Sequence, residues 1–539
     1  MSTQRTITPE LEAVEAAIDN EHLKNRLTKL TFSEAAWYFL AFCEEMQFKR
    51  LEIEGINRRQ DTACHADEIV NNMKTPLRWL WETCRPGTQI PRKFCDESYK
   101  ASWDFYDLAH EYGSFESAYI YARAGAVTLR LQGDAIVPDI PFRKDPRYEA
   151  YDRLCINEPT EFDGDRAIEF FDNVSQTVTV SDNRFRYQLN PGIVSYGLDA
   201  LMPLMSHFWL PDSWSLPRYS FGDFRSVLSA IRVIAMIHHF AHVAAARQGC
   251  VALGYLDSVL VMRRGELSKR LKRYTGLGID VVNAVIHDAT FGERDIRNPD
   301  PAIQPLIPLT ADRIAISPTL FLASDIERNL TVLLNRLPEE KKVYSQLSED
   351  REKISRRRII DRLQPLGLRF WHGNLPGRND LPDVDLAVIN DIERTCLILE
   401  LKAFIGPAEP REILEKSEEI EKGVSQINVL RNSTRLESAL LNGPLEIDGS
   451  YDVSFALASE TFVGIPSVQD ETVPVVRIDH LVRRLLAGNS LSSVCDWLQT
   501  RDYLPVEGTH FEVRDVDAHV GDWRLRWYGI RSLINDNYL

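Results

Sequence analysis

The sequence predicts a multidomain protein in which a mainly α-helical N-terminal region is followed by a C-terminal α/β domain. Apolar residues at helical spacing dominate residues 9–300, where Val, Ile and Thr rarely alternate with polar residues. After residue 335, helical patterns alternate with short apolar runs, as in an α/β domain. A length of 539 residues with 44% hydrophobic residues fits a folded chain of about three domains.

Helical patterns and loop signals divide the N-terminal region. Phe32–Leu51 carries apolar residues three and four positions apart and predicts a helix, and the tripeptide RPG at 85–87 interrupts the pattern that follows. Ser114–Leu131 predicts another helix. The next ten residues, QGDAIVPDIP, hold two prolines and a glycine and predict a loop. We therefore expect a domain boundary within residues 135–150.

Short alternating patterns predict three further elements. Alternation with period two within residues 162–187 predicts a small hairpin, and a run after four prolines predicts a strand at Arg313–Ile316. Alternation within Phe511–Arg531 predicts an extra hairpin. The three predicted domains are a helical domain at 1–140, a mainly helical domain with the small hairpin at 141–334, and an α/β domain with a C-terminal extension at 335–539.

The overall charge sets a condition on any contact with nucleic acid. Lys and Arg number 63 against 79 Asp and Glu, so the net charge is −16 and the molecule as a whole repels polyanions. Contact therefore requires a local basic patch. Residues 351–369 hold seven basic residues against two acidic ones, and within them we predict that Arg356, Arg357 and Arg358 bind phosphates. A second basic window, 263–273, is interpreted as a solvated helix face.

Cysteine usage and the first residues indicate the compartment. The eight cysteines are scattered through a chain long enough to fold without disulfides, so we interpret them as reduced thiols. Residues 1–30 contain no apolar core of signal-peptide length. We expect a cytoplasmic protein.

The longest apolar stretch, Val227–Leu260, is predicted to be a buried helix. Arg232 and other basic residues interrupt it, which a membrane-spanning helix would not readily accept. We therefore expect no membrane partner. His238, His239 and His242 lie in this stretch without an accompanying acid, so packed core histidines are favoured over a metal pair.

The segment Pro382–Phe404 contains the main candidate site residues of the sequence. Two apolar runs flank the polar stretch NDIER and predict two antiparallel strands joined by a turn. Centring the hairpin on that turn places Asp385 opposite Glu400. Because side chains alternate along a strand, Glu400 and Lys402 share one face. The register therefore predicts that Asp385, Glu400 and Lys402 lie together.

Two carboxylates and an ammonium at the end of an apolar hairpin are costly to desolvate unless they bind something. Asp385 and Glu400 would supply the hard oxygen ligands that Mg²⁺ prefers, and Mn²⁺ is the alternative ion. Lys402 could position a water and offset charge on a phosphate. The alternative is a purely structural role, in which Asp385 and Lys402 form a buried ion pair and Glu400 lies at a sheet end.

This arrangement resembles the PD-(D/E)XK nuclease superfamily, which has a restriction-endonuclease-like core with an Asp on one strand and Glu-x-Lys on the next. The resemblance covers residues 340–485 and assigns the metal-ligand role to Asp385, with Asp383 of the literal Pro-Asp pair as second choice. The segment ELK followed by EIEKGVSQI is also similar to the Shedu-type defence nucleases of bacteria. The resemblance implies that the C-terminal domain is a nuclease domain.

Flanking helices offer further candidates under the same resemblance. Members of the superfamily often place an acid on the helix before the hairpin, and Glu352 is the first choice here, with Glu349 the alternative. Several subgroups contribute a Gln, sometimes with a Lys, from the helix after the hairpin. Lys422 and Gln426 lie four residues apart there, hence on one face. A solvated helix face is the competing interpretation of this pair.

These observations predict a metal-dependent nuclease that hydrolyses phosphodiester bonds in DNA. Asp385, Glu400, Lys402 and Gln426 form the predicted catalytic set. The N-terminal region carries no chemical motif, so we expect it to sense a trigger, bind a protein partner or build a homo-oligomer, as in prokaryotic defence systems by analogy. The alternative is a catalytically silent protein that keeps the nuclease fold for binding or regulation.

Overall fold

The structure, a computed structural model, describes most of the chain. The described residues are 7–54, 59–91, 95–155, 164–182, 184–205, 208, 210–249, 258–407, 409–437, 439–534 and 538. They form a mixed α/β protein with a helical N-terminal region, in agreement with the predicted fold class at that level. The helices are α1 Pro9–Asp19, α2 Phe32–Glu54, α3 Arg59–Thr83, α4 Asp96–Arg123, α5 Arg147–Leu154, α6 Gly164–Ser175, α7 Pro191–Tyr196, α8 Met202–Met205, α9 Phe221–Arg247, α10 Arg264–Thr275, α11 Ile279–Asp288, α12 Pro318–Ala323, α13 Ile326–Arg336, α14 Pro338–Leu363, α15 Pro410–Leu436, α16 Asn442–Leu445, α17 Ile478–Leu486 and α18 Leu491–Thr500.

The strands of the described residues form four sheets. A five-stranded sheet has the order β12-β11-β10-β9-β8, and a four-stranded sheet has the order β1-β2-β14-β13. Two smaller sheets, β5-β7-β6 and β3-β4, lie within the helical region. The strands are β1 Thr128–Gln132, β2 Ala135–Asp139, β3 Thr179–Ser181, β4 Arg184–Arg186, β5 Leu260–Arg263, β6 Leu306–Pro308, β7 Arg313–Ile316, β8 Arg369–Gly373, β9 Val384–Asn390, β10 Thr395–Lys402, β11 Asp452–Ser459, β12 Val475–Arg477, β13 Phe511–Val520 and β14 Trp523–Ser532.

The five-stranded sheet is built around β10. This strand pairs antiparallel with β9 and parallel with β11, and its residues are buried from Thr395 to Leu401, which explains its almost continuous apolar run. The predicted register is confirmed by the pairs Ile389↔Cys396 and Ala387↔Ile398. Helices α14 and α15 contact β10 and position their residues beside the sheet.

Helix α14 belongs to two hydrophobic cores at once. Near its start, Tyr344 stacks on Phe221 of α9 in the core of the helical region. Near its end, Ile359 and Leu363 are buried in the core of the five-stranded sheet. A helix of 26 residues is about 39 Å long, so α14 connects the two cores with a single rigid element.

The predicted buried helix in the apolar stretch is α9. In the described part of the chain it is the one helix long and apolar enough to cross a membrane, and 83% of its most apolar window is buried inside the protein. The guanidinium of Arg232 donates hydrogen bonds to the carbonyl oxygens of Leu322 and Ser324. The burial of α9 against the rest of the protein therefore accounts for its apolar sequence.

The helix predicted over 114–131 is confirmed only as far as Arg123, and the loop predicted after it is wrong. Helix α4 ends at Arg123, and residues 128–139 form the hairpin of β1 and β2. Gly125 adopts a φ of +76° just after the helix, and Gly133 adopts a φ of +66° in the turn, backbone conformations that favour glycine. The glycines thus end the helix early and close a hairpin. The hairpins predicted within 162–187 and 511–531, and the strand Arg313–Ile316, are confirmed.

Strands from both halves of the chain share the four-stranded sheet. Strand β14 pairs parallel with β2 through Arg524↔Ala135 and Leu525↔Ile136. Helix α5 also crosses the predicted division, because its Tyr151 is buried in the core of the five-stranded sheet. The expectation that residues from 335 onward pack separately from those before is therefore wrong at these two places and at α14, whose Tyr344 packs in the core of the helical region. The apolar face of the C-terminal hairpin is covered by N-terminal elements, a long-range contact that no local pattern reveals.

Candidate active site

The site lies where β9 and β10 separate. The paired ladder ends at Leu386↔Leu399, one pair before the predicted partners Asp385 and Glu400. Instead of continuing the ladder, the Asp385 carboxylate accepts a 2.8 Å hydrogen bond from the main-chain N–H of Leu401. The register therefore brings Asp385 beside the Glu-x-Lys segment, as predicted.

Glu400 and Lys402 are in direct contact. The Lys402 ammonium donates a 2.8 Å hydrogen bond to Oε1 of Glu400. Glu400 is only 6% exposed, and the Lys402 side chain is 17% exposed. The two charges are thus largely removed from water, which makes their mutual interaction stronger than at the surface.

Burial and neighbouring charges raise the pKa of both acids. Burial raises the pKa of Asp385 to about 6; the Leu401 hydrogen bond opposes this rise, and the Glu352 and Asp383 charges add to it. Burial and then the Asp385 charge raise the pKa of Glu400 to about 7, against the opposing effect of Lys402. Burial lowers the pKa of Lys402, but the Glu400 carboxylate together with the Asp385 and Glu352 charges opposes this effect, and the net result is a raised pKa.

The structure brings Glu352 of α14 toward the same acids. Its charge acts on both Asp385 and Glu400, although its own side chain is exposed. Asp383 is exposed and contributes through its charge to Asp385. The backbone of Glu349 lies in α14, but its side chain lies outside the described residues. The acidic cluster therefore consists of Asp385 and Glu400 with Glu352 and Asp383 at its edge.

Helix α15 approaches the site through a residue that the sequence reasoning missed. A Cβ atom built on Gly423 would lie 2.7 Å from Cε of Lys402 and 3.4 Å from Cγ of Glu400. The predicted residues Lys422 and Gln426 are exposed on the same helix. Within the described residues, neither forms a hydrogen bond with the three site residues. A glycine inside a helical pattern was the signal that could have identified Gly423.

The three arginines predicted to bind phosphates have different surroundings. Arg356 donates a 3.3 Å hydrogen bond to the main-chain carbonyl of Asp385. The Arg357 side chain is 84% exposed and lies 4.0 Å from Asp361, whereas Arg358 lies 3.6 Å from the buried carboxylate of Glu460. Arg357 is therefore the most available of the three for a phosphate, and Arg358 faces a protein carboxylate.

The donor set suits a hard divalent cation. Among the described residues no group of three or more His, Cys, Asp or Glu side chains is arranged to hold a metal ion. Mg²⁺, however, is bound through one or two carboxylates with water in its other positions, which matches Asp385 and Glu400. Two buried acids whose pKa values are raised gain from a nearby cation, because it favours their charged forms.

The three histidines of α9 pack in the helical core, as predicted. His238 Nδ1 lies 2.9 Å from the hydroxyl of Tyr187, and the His242 ring is stacked between Phe48 and Phe185. Burial lowers the pKa of His239 to about 4 and that of His242 to about 3. Burial therefore favours the neutral forms of His239 and His242, and the rings of His238 and His242 lie among aromatic side chains.

Comparison with models of protein families, with curated proteins and with solved structures finds no match for this chain. The residues and geometry of the site are therefore the basis for proposing a function.

Proposed function

We propose that the protein is a metal-dependent nuclease that hydrolyses phosphodiester bonds of DNA. The observation that supports this most is the convergence of Asp385, Glu400 and Lys402 where β9 and β10 separate. The five-stranded mixed sheet around them, flanked by α14 and α15, fits the PD-(D/E)XK resemblance of the sequence. The proposal therefore includes a restriction-endonuclease-like domain.

Each residue has a separate task in this proposal. Asp385 and Glu400 would hold Mg²⁺ or Mn²⁺, with Glu352 adding negative charge nearby. A divalent ion supplies Lewis-acid stabilisation and lowers the pKa of a bound water. The Lys402 ammonium, oriented by Glu400, would position the attacking water and stabilise charge that develops on the phosphate. Gln426 would support the substrate from α15.

DNA would approach along the exposed faces of α14 and α15. Arg357 and Lys422 are exposed there and offer cations to phosphates. Arg356 donates to the carbonyl of Asp385 and so lies close to the reacting groups. The net charge of −16 requires that binding be confined to this neighbourhood.

The larger biological role follows from the organisation of the chain. We propose a cytoplasmic defence nuclease, similar to the Shedu type, in which the N-terminal region senses a trigger, binds a partner or forms an oligomer. Helix α14 supports a link of this kind, because it is packed in the helical core and also carries Glu352 near the site. A change in the helical region would therefore reach the site through one rigid helix.

A catalytically silent binding protein is the second candidate. The observation that favours it is the Lys402–Glu400 hydrogen bond, which satisfies both buried charges without any ion. In that case Asp385, Glu400 and Lys402 would be a structural ion cluster, and binding would be the function of the fold.

One experiment separates the two candidates. Purified protein is incubated with linear DNA, circular DNA and RNA in Mg²⁺, Mn²⁺ or EDTA, beside the Lys402→Ala variant. The nuclease proposal expects cleavage of DNA by wild type with a divalent ion and none in EDTA. Binding of DNA without cleavage in either metal would support the silent protein instead.

A further inference from the structure

Gly423 occupies a place in α15 where no side chain fits. A Cβ atom there would lie 2.7 Å from Cε of Lys402 and 2.7 Å from Cδ1 of Leu457. Carbon atoms in contact are normally separated by about 3.5–4 Å. Glycine is unfavourable in a helix interior, so its presence in the middle of α15 calls for a local reason. The close approach of Lys402 and Leu457 supplies that reason.

The helix is fixed against the sheet on both sides of this glycine. Ile420, Val424 and Ile427 of α15 are buried in the core of the five-stranded sheet. An added methyl group at 423 therefore cannot be accommodated by moving α15 outward without opening that core. The free end of Lys402 is the softer neighbour, because its long stem has several rotatable bonds.

We propose that Gly423 is a positioning residue that directs the Lys402 ammonium onto Glu400. The surface of α15 at Gly423 lies against Cε, the carbon that carries the ammonium, and thereby limits where Nζ can go. Nζ lies 2.8 Å from Oε1 of Glu400 in this arrangement. The inference rests on the proposed nuclease function, in which Lys402 positions the attacking water.

The test is a double-mutant cycle of Gly423→Ala and Lys402→Ala. Cleavage of linear DNA is measured with Mg²⁺, and melting temperature is measured in EDTA. Gly423→Ala is expected to lower kcat about 100-fold with KM unchanged, the size of loss expected when one electrostatic group is displaced. In the Lys402→Ala background, Gly423→Ala should cause no further loss of kcat. It should also lower the melting temperature less than it does in wild type, because Cε is absent there.

Leu457 provides the second arm of the test. Leu457→Val removes the Cδ1 atom that Gly423 also approaches. If Gly423 serves only packing against Leu457, adding Leu457→Val to Gly423→Ala restores cleavage, and that result would overturn the proposal. The proposal expects cleavage to stay low in the Gly423→Ala/Leu457→Val variant. Leu457→Val alone is measured beside it.

Controls keep the outcome decisive. Ser425→Ala changes an exposed residue of the same helix and should behave as wild type. If Gly423→Ala alone does not fold, the same cycle is measured in the Leu457→Val background, which removes the buried neighbour. Equal melting losses from Gly423→Ala with and without Lys402→Ala would overturn the proposal. If wild type cleaves no DNA in Mg²⁺ or Mn²⁺, the proposed function fails, and the melting-temperature cycle by itself decides whether Gly423 acts on Lys402.

Discussion

The carboxylate of Asp385 accepts a hydrogen bond from the main-chain N–H of Leu401, the residue between Glu400 and Lys402. This bond holds the acid of β9 against the end of β10 after the strand ladder has stopped. Asp385 is therefore held beside the Glu400–Lys402 segment by the protein itself, and one carboxylate oxygen is engaged in this hydrogen bond. Single substitutions at the proposed site are therefore informative.

Replacement of either acid should abolish cleavage. Asp385→Ala and Glu400→Ala each remove a proposed metal ligand, so DNA should remain intact in Mg²⁺ and in Mn²⁺. Lys402→Ala removes a charge but no ligand, and it should bind DNA yet cleave about 100-fold more slowly or worse. Cleavage rates and melting temperatures are measured together, and none of the three variants should unfold the protein. Cleavage of DNA by Lys402→Ala at the wild-type rate would contradict this mechanism.

Divalent metal should stabilise the folded protein against heat. Binding to the folded state alone adds about 2.7 kcal/mol to the free energy of unfolding when the ion is present at 100 times its Kd. The melting temperature of wild type should therefore rise from EDTA to saturating Mg²⁺ or Mn²⁺, measured by scanning calorimetry. Asp385→Ala/Glu400→Ala should show no such rise. An equal rise in the double variant would place the ion elsewhere.

Glu352→Gln should weaken metal binding without removing a ligand. Its charge acts on Asp385 and Glu400 from α14, so the neutral amide leaves the site less attractive to a cation. We expect cleavage to require on the order of 10-fold more Mg²⁺ than in wild type. The matched control is Lys353→Gln at the neighbouring exposed position. Its cleavage rate should depend on Mg²⁺ concentration as that of wild type does. The readout is cleavage rate against Mg²⁺ concentration.

Arg357→Ala and Arg358→Ala should have opposite consequences. Arg357 is exposed, so its loss should weaken DNA binding, reduce the salt dependence of affinity by about one ion and leave melting unchanged. Arg358 faces Glu460, whose pKa burial already raises, so its loss should lower the melting temperature and spare DNA affinity. Both are measured by fluorescence anisotropy and thermal unfolding. Equal loss of DNA affinity in both variants would show that Arg358 also contacts phosphate.

The helical region should lose stability in mild acid. The pKa of His242 is lowered by burial to about 3, so below pH 6.5 the unfolded chain binds a proton that the folded protein does not. The contribution of His242 to the free energy of unfolding is therefore intact above pH 6.5. It falls as the pH drops, by about 2 kcal/mol between pH 7 and pH 5. His242→Phe, which keeps a ring between Phe48 and Phe185, should reduce this acid sensitivity in urea unfolding. The exposed control His519→Asn should not.

The hairpin of the site could be predicted from sequence because its determinants are local. Asn390 accepts hydrogen bonds from the N–H groups of Ile392 and Glu393, and Arg394 adopts a φ of +55° before β10 begins. A turn this well defined by its own residues fixes the register, and with it the alignment of Asp385 with the Glu-x-Lys segment. Local turn chemistry and alternation were therefore sufficient here.

One of the remaining errors has a local cause, and two have non-local causes. The hairpin at 128–139 was interpreted as helix and loop, although Gly133-Asp134 is a turn signal, because the helical pattern before it appeared to continue. Pairing of β2 with β14 depends on residues far apart in sequence. The close approach of Gly423 to Lys402 arises from the packing of α15 on the sheet. The periodicity of the sequence does not reveal either of these long-range contacts.

The pairing of β2 with β14 has a consequence for synthesis of the protein. Arg524 and Ala135 are about 390 positions apart, so β2 leaves the ribosome long before its partner strand exists. Both strands of the site, β9 and β10, are also translated before β14. A nascent or truncated chain that stops before residue 523 thus contains Asp385, Glu400 and Lys402 but lacks the strand that pairs with β2. Completion of translation is therefore the step that completes the fold around the proposed active site.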